Sequence, residues 1–343
     1  MKGKGKKELQ KVSVIICAKN EAENLVRYLP AVLSQDFTDA QGMPLYEVLV
    51  VNDASDDATE NVLQQLQMRY PHLRYIHIDP KEPRTFKGKK FALSKALETV
   101  SHELLLLTDA DCEPASEAWL SLMTEPLLEG KEIVCGYGAY RQTKGFLNTF
   151  IRWETVHTFL QYASYAAAGL PYMAVGRNLA CTKQTLIKAQ QSDAWNALPS
   201  GDDDLLVQAC GTKENIAVVT QARAFTYSDP KKNRNDWIHQ KQRHLSTGKY
   251  YKPFNKLLLG GYAISHALAW LLFFVLIFFS DWSLIFTVFM MRCSIYWIIW
   301  KAAATRLKEK KLLRWMPLCD LSWGLYNFVL SPFIIFKNKQ QWK

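Results

Sequence analysis

Between Val12 and Tyr137 the chain alternates short apolar runs with segments of helical period, and this alternation limits the possible folds more than any other feature. VSVIIC, YEVLVV, RYIHI, ELLLLT and EIVCGY read as strands, most of them apolar on both faces. Residues 21–32, 58–68, 90–99 and 116–128, lying between them, carry the spacing of helices. Such alternation predicts a parallel sheet covered by helices on both faces, with right-handed crossovers. Ligands of such a sheet bind beyond the carboxyl ends of its strands. The polar residues that end the strands therefore carry most information: residues 18–21, 52–55 and 109–111.

The third of these groups closes the run LLLLTDADCEP. An unpaired buried carboxylate is costly, so Asp109 and Asp111 must reach water, a basic side chain or a cation. In extended chain an Asp-x-Asp pair points both side chains the same way, which suits a hard divalent ion carrying phosphate. A solvated turn explains the pair equally well when it is taken alone. No Gly-x-Gly-x-x-Gly follows the first strand and no Gly-Lys-Ser/Thr occurs, which disfavours a glycine-cradled dinucleotide or a P-loop. Phosphates would then be neutralised by a metal on Asp109 and Asp111 and by Lys87, Lys89 and Lys90 at a helix start.

The balance of 42 Lys and Arg against 32 Asp and Glu, a net charge of +10, points to an anionic membrane surface or a phosphate-rich substrate. No zinc-finger spacing or RNA-binding signature is present, so no nucleic-acid partner is expected. The seven cysteines are scattered and never form Cys-x-x-Cys, as expected of buried thiols in a reducing compartment. Residues 1–11 read as a basic tail.

The C-terminal third differs. From Leu257 to Trp300 the only charges are Asp281 and Arg292, and the stretch divides at Ser280-Asp281 into two halves, each near the roughly 20 apolar residues that a bilayer crossing needs. Residues 301–314 carry Lys301, Arg306, Lys308, Lys310, Lys311 and Arg314, which assigns this loop, and the catalytic region with it, to the cytoplasmic side of a cell (inner) membrane. Residues 312–336 are apolar but interrupted by Arg314, Pro317, Asp320, Asn327 and Pro332, and read as an interfacial or third membrane segment. Arg292 would lie within the bilayer and needs a partner, for which Asp320 is the candidate. The division expected is thus 1–11, 12–256 and 257–343.

Over residues 12–248 these motifs, in their order, resemble the family 2 inverting glycosyltransferases with the GT-A fold. VSVIICAKNEAENL, VVNDASDDATENVL, FKGKKFALSKAL, LLLLTDADCEP, VGRNLACTKQTL, SGDDDLL and QKQRH each match a family motif. The resemblance implies a Rossmann-like α/β domain, mostly parallel, followed by transmembrane or interfacial helices. It implies that Asn20 and Glu21 line the nucleoside pocket, that Asp53 bonds the base, and that Lys89 lies near the donor. Asp109 and Asp111 would hold the sugar-phosphate and Mg2+ or Mn2+. Asp203 would be the general base beside Asp202, although three consecutive aspartates leave that register open by one residue. Arg177 and Asn178, in the acceptor-side motif, and Gln240, Arg243 and His244 would serve the acceptor or diphosphate. His244 stands where processive members carry Trp, which argues against polymer synthesis.

The expected activity is transfer of a sugar from a UDP-sugar or GDP-sugar to a lipid-linked or glycan acceptor at the cytoplasmic membrane face. A catalytically inactive nucleotide-sugar-binding scaffold and a nucleotidyltransferase are the competing readings. The segment Trp153–Tyr172 is either an aromatic acceptor groove or a packed amphipathic helix.

Overall fold

The computed structural model describes residues 10–336. These fall into two compact units, one comprising residues up to Arg141 with Tyr162–Asp229, the other Gln142–Gln161 with the described residues from Pro230 onward.

The first unit is built on strands β1 (Val12–Ala18), β2 (Tyr46–Asp53), β3 (Leu73–Ile78) and β4 (Leu104–Asp109), with helices α1 (Ala22–Leu33), α2 (Thr59–Arg69) and α3 (Lys89–Thr99) between them. All seven residues of β1 and all eight of β2 are buried, because a strand in the middle of a parallel sheet is covered on both faces. This is why these runs read as continuously apolar. Burial of each Val, Leu or Ile side chain among them contributes about 1.5–3 kcal/mol. The register sets Cys17 beside Asp109 and Ala18 beside Asn52, so three strands end at one edge.

The sheet continues through β6 (Ile133–Cys135), β8 (Leu179–Thr182) and β9 (Ile216–Val218), giving the order β3-β2-β1-β4-β8-β6-β9. Here β8 runs antiparallel to both β4 and β6, which the alternation of residues 12–137 did not disclose. EIVCGY also differs from expectation, since β6 stops at Cys135. At Gly136 the backbone N–H donates to the Asn178 carbonyl, and a Cβ there would meet the Asn178 side chain at 2.4 Å. A second, three-stranded sheet joins β5 (Cys112–Pro114), β7 (Gly138–Tyr140) and β10 (Thr226–Ser228), with β10 in the middle. Helix α4 (Trp119–Leu128) starts three residues later than the helical spacing begins, and buries Trp119 and Met123 in the main core. Helices α6 (Lys183–Gln190), α7 (Asp193–Ala197) and α8 (Asp202–Cys210) complete this unit, and the unit boundary falls within α5 (Phe146–Ala167), after Gln161.

The second unit contains α9 (Arg234–Leu245), α10 (Pro253–Phe279), α11 (Trp282–Arg306) and α12 (Met316–Phe336) together with the first part of α5. Residues 142–161 and 230–256 thus group with the membrane-type helices. The reason lies in the rings. Trp153 stacks on Trp300 at 5.1 Å, Phe150 meets Trp237 at 5.7 Å, and His157 lies 4.6 Å from Trp323. The aromatic segment is therefore in part a packed helix face, and burial holds the His157 imidazole down at about 3, in its neutral form. Two helices among the described residues, α10 and α11, are long and apolar enough to cross a membrane, and few of their residues are buried. Asp281 caps α11 by accepting from the Ser283 N–H at 2.9 Å, which fixes the tight turn after Ser280. The expected pairing of Arg292 is present: Nη1 lies 3.1 Å from Asp320 Oδ2, which also accepts from Trp270 Nε1 at 2.9 Å.

Candidate functional site

The edge formed by the carboxyl ends of β1, β2 and β4 gathers most of the residues singled out from the sequence. After β1, Asn20 adopts φ 55°, and after β2, Ala54 adopts φ 53°, so both strands leave through sharp turns. Side chains join the two turns. Asn20 N–H donates to Ser55 Oγ at 2.9 Å, Asn20 Oδ1 accepts from the Asp56 N–H at 3.0 Å, and the Glu21 N–H donates to Thr59 Oγ1. Asn20 thus spends its carbonyl oxygen on shaping the pocket wall.

Asp53 is fully buried and held by both arms of Arg84, at 2.6 and 3.1 Å. A bidentate pair of this kind fixes orientation as well as charge. Arg84 was not singled out from the sequence; its signal was the basic stretch KEPRTFKGKK, where lysines drew the attention. The Arg84 guanidinium also lies over the Phe91 ring at 5.2 Å.

Helix α3 begins at Gly88, whose φ of 61° only a residue without a side chain adopts readily. Its first two residues diverge. Lys89 Nζ lies 2.6 Å from Asp109 Oδ1 and 3.9 Å from Asp202 Oδ2, linking the end of β4 to the start of α8. Burial alone would lower the Lys89 ammonium, but Asp109 and Asp202 outweigh it and hold it well above its ordinary value. Lys90 points inward and is fully buried, donating to the carbonyls of Trp195 at 2.9 Å and Leu198 at 3.0 Å. This corrects the expectation that Lys90 faces phosphate: it pins the segment leading to α8. Burial lowers its pKa to about 8. Replacing Lys90 with Met is expected to lower kcat roughly tenfold or more, through displacement of the α8 start, with donor KM little changed. Steady-state kinetics on donor and acceptor check this split.

β4 ends at Asp109, and Asp111 lies in the turn before β5. Convergence of the two carboxylates therefore comes from the turn and not from strand alternation. Ligand atoms of Asp109, Asp111 and Cys112 lie within 4.8 Å of one another. The Asp111 carboxyl is raised by burial and by the Asp109 charge, against the pull of Arg177. Burial also holds the Cys112 thiol well above its ordinary value, so it stays protonated. The two carboxylates offer hard oxygen donors, a set that fits Mg2+ or Mn2+.

α8 starts with Asp202, Asp203 and Asp204 after Gly201, whose φ is 79°. Asp203 Oδ2 accepts from the Gly176 N–H at 2.7 Å and Oδ1 from the Asp204 N–H at 2.9 Å. Burial, reinforced by Asp202, raises Asp203 to about 6, while those two amides oppose the rise. Arg177 Nη1 donates to Ser228 Oγ at 2.6 Å, and its guanidinium lies 4.1 Å from the Tyr140 ring centroid.

Asn178 departs from its expected role. It is fully buried, accepts from Trp119 Nε1 at 2.9 Å, and donates to the carbonyls of Tyr137 at 3.1 Å and Ala224 at 2.8 Å. These bonds occupy its amide inside the protein, so it joins the chain just after β6, the start of α4 and the turn before β10 instead of meeting an acceptor. Asn178→Ala is expected to destabilise the fold by roughly 2–5 kcal/mol, since it strands two buried polar groups, Trp119 Nε1 and the Ala224 carbonyl. Thermal melting of the purified variant measures this. Gln240, Arg243 and His244 stand on α9 of the second unit.

Residues 13–173 match the family model described as glycosyl transferase family 2. The chain carries a family 2 glycosyltransferase domain. The fold is GT-A: it is similar to the mannosyltransferase PcManGT of Pyrobaculum calidifontis, solved with GDP-Man and Mn2+, at a TM-score of 0.55 and 18% identity over 93% of this chain and 88% of that one. Among sequence relatives, glycosyltransferase AglE of Haloferax volcanii is 36% identical over 109 residues, 32% of this chain and 33% of that protein. The probable glycosyltransferase YdaM of Bacillus subtilis is 28% identical over 152 residues, 44% of this chain and 35% of that protein. The glycosyltransferase domain thus matches about a third of the length of these curated relatives.

Proposed function

We propose that this family 2 glycosyltransferase moves a sugar, with inversion, from a nucleotide-diphosphate sugar to a lipid-linked or glycan acceptor at the cytoplasmic face of the cell membrane. One observation carries the reading: Lys89 bridges Asp109, beside the candidate metal acids, and Asp202, beside the candidate base. Donor groups and base are thereby brought to one pocket edge. GDP-Man and Mn2+ in the Pyrobaculum calidifontis mannosyltransferase support the donor class and the metal.

In this reading Asp53, oriented by Arg84, meets the nucleobase, and the turns at Asn20 and Glu21 shape the pocket around the nucleoside. Asp109 and Asp111 would hold Mg2+ or Mn2+. When bound, the ion supplies charge to stabilise the departing diphosphate. Lys89 adds a cation there without needing a proton exchange. Asp203 takes the proton of the acceptor hydroxyl as that oxygen attacks the anomeric carbon; a carboxylate raised to about 6 is better matched to this task than an ordinary one. A base opposite the leaving group gives inversion by direct displacement. The apolar hairpin α10–α11 supports a bilayer location, where a lipid-linked acceptor presents its head group.

The test is release of free nucleoside diphosphate by detergent-solubilised protein, given Mn2+ or Mg2+, a panel of nucleotide-sugars and membrane lipid extract. Release from one donor, abolished by EDTA and reduced at least 100-fold in Asp111→Ala, is expected, that size being roughly the loss of a main charge-stabilising group. Donor binding without release from any member of the panel would instead support a scaffold.

A further inference from the structure

We propose that the ends of the α10–α11 hairpin form a cationic collar that selects anionic lipid headgroups. This rests on the reading above that the hairpin crosses a bilayer. The pairs His266–Tyr296, with ring centroids 6.3 Å apart, and Phe273–Phe289, stacked at 3.9 Å, fix the antiparallel register of the two helices. Continued along both helices, that register sets Lys256 level with Arg306. The chain leading into α10 adds Lys249 and Lys252, and the chain leaving α11 adds Lys308, Lys310 and Lys311, all exposed.

The two segments at this end are nearly without acids. Glu309 is the only acid within residues 245–256 and 301–314, and it is buried and paired with Arg152. Exposed rings stand among the cations: Phe254, at 54% exposure, and Trp315, at 36%, are side chains suited to the boundary between headgroups and acyl chains. The other end of the hairpin is different. Its turn holds Ser280 and Asp281 between exposed Phe279 and Trp282, with no basic residue. A one-sided belt of cations and rings beside an apolar hairpin matches a phosphate-bearing lipid surface, near which each basic residue strengthens attraction roughly fivefold.

The experiment reconstitutes the full chain in phosphatidylcholine vesicles holding a minority of phosphatidylglycerol. Spin-labelled forms of each lipid then report which one gathers at the protein boundary. The unaltered chain is expected to enrich the phosphatidylglycerol label several-fold over phosphatidylcholine, and to lose that preference in salt of about 1 M, where charges are screened within about 3 Å. The combined variant Lys256→Gln, Lys308→Gln, Lys310→Gln and Lys311→Gln is expected to fall to near-equal labels, whereas Arg at the same four positions retains the preference. Equal labels in the unaltered chain, or an undiminished preference in the Gln variant, overturn the collar. Resistance to carbonate extraction from pure phosphatidylcholine vesicles is read alongside. Protein retained without headgroup preference fails the collar alone, whereas protein stripped by carbonate fails the hairpin reading and the collar with it.

Discussion

Asp203→Asn lowers sugar transfer by roughly 10²–10⁴-fold and leaves donor affinity within a few-fold of the unaltered chain. The amide keeps the size of the carboxylate and an oxygen to accept from the Gly176 N–H, but it takes up no proton from an attacking hydroxyl. The pH dependence follows from the same environment. Burial, with Asp202 beside it, holds Asp203 at about 6 against an ordinary 3.8. The base works when deprotonated, so kcat/KM is expected to fall about tenfold per unit below pH 6 and to level off above it. For stability the sign is opposite to that of a salt-bridged carboxylate. A raised carboxyl binds its proton more tightly in the fold, so the cost of ionising it is fully present above pH 6 and is relieved as pH falls from 6 towards 3.8. Rate profiles of the two forms, with donor affinity measured by calorimetry, decide the matter. Full activity in Asp203→Asn would move the base to Asp202.

Arg152→Met is expected to destabilise the second unit by about 3–5 kcal/mol, the largest stability effect among the substitutions considered. Arg152 and Glu309 are both buried, and both arms of the guanidinium meet the carboxylate. Removing the cation leaves a buried carboxylate that burial already raises above its ordinary value, with Arg152 alone opposing. The double variant Arg152→Met with Glu309→Leu is expected to recover most of the loss, because no uncompensated charge then remains. Melting of the four proteins in detergent closes the cycle. Equal stability of Arg152→Met and the unaltered chain would show that water reaches Glu309.

The parallel strands of the β1-β2-β4 edge were legible because such strands, when buried, leave continuous apolar runs and end in polar residues. β8 was not, since LACT is too short to show a period and its direction depends on the chain that precedes it. The convergence of Asp109 and Asp111 was legible as well, from two acids one residue apart at the end of a buried run. Direction of a side chain was harder to read. Lys89 and Lys90 are alike in sequence, yet one meets Asp109 and the other the carbonyls of Trp195 and Leu198, contacts set by residues about 20 and 105 positions away. Asn178 was misread for a related reason: a polar residue beside Arg177 resembles a ligand contact until Trp119, Tyr137 and Ala224 are seen around it. Arg84 escaped notice because Asp53 seemed to need only a base to bind.

The divergence of Lys89 and Lys90 also bears on grafting between relatives. One turn of α3 fastens the donor acids on one side and the 195–198 segment ahead of Asp203 on the other. A chimaera that exchanges only the nucleotide-binding strands would therefore separate two halves of one fastening. A transplant of this edge is therefore expected to keep its geometry only when residues 84–90 move together with 195–203.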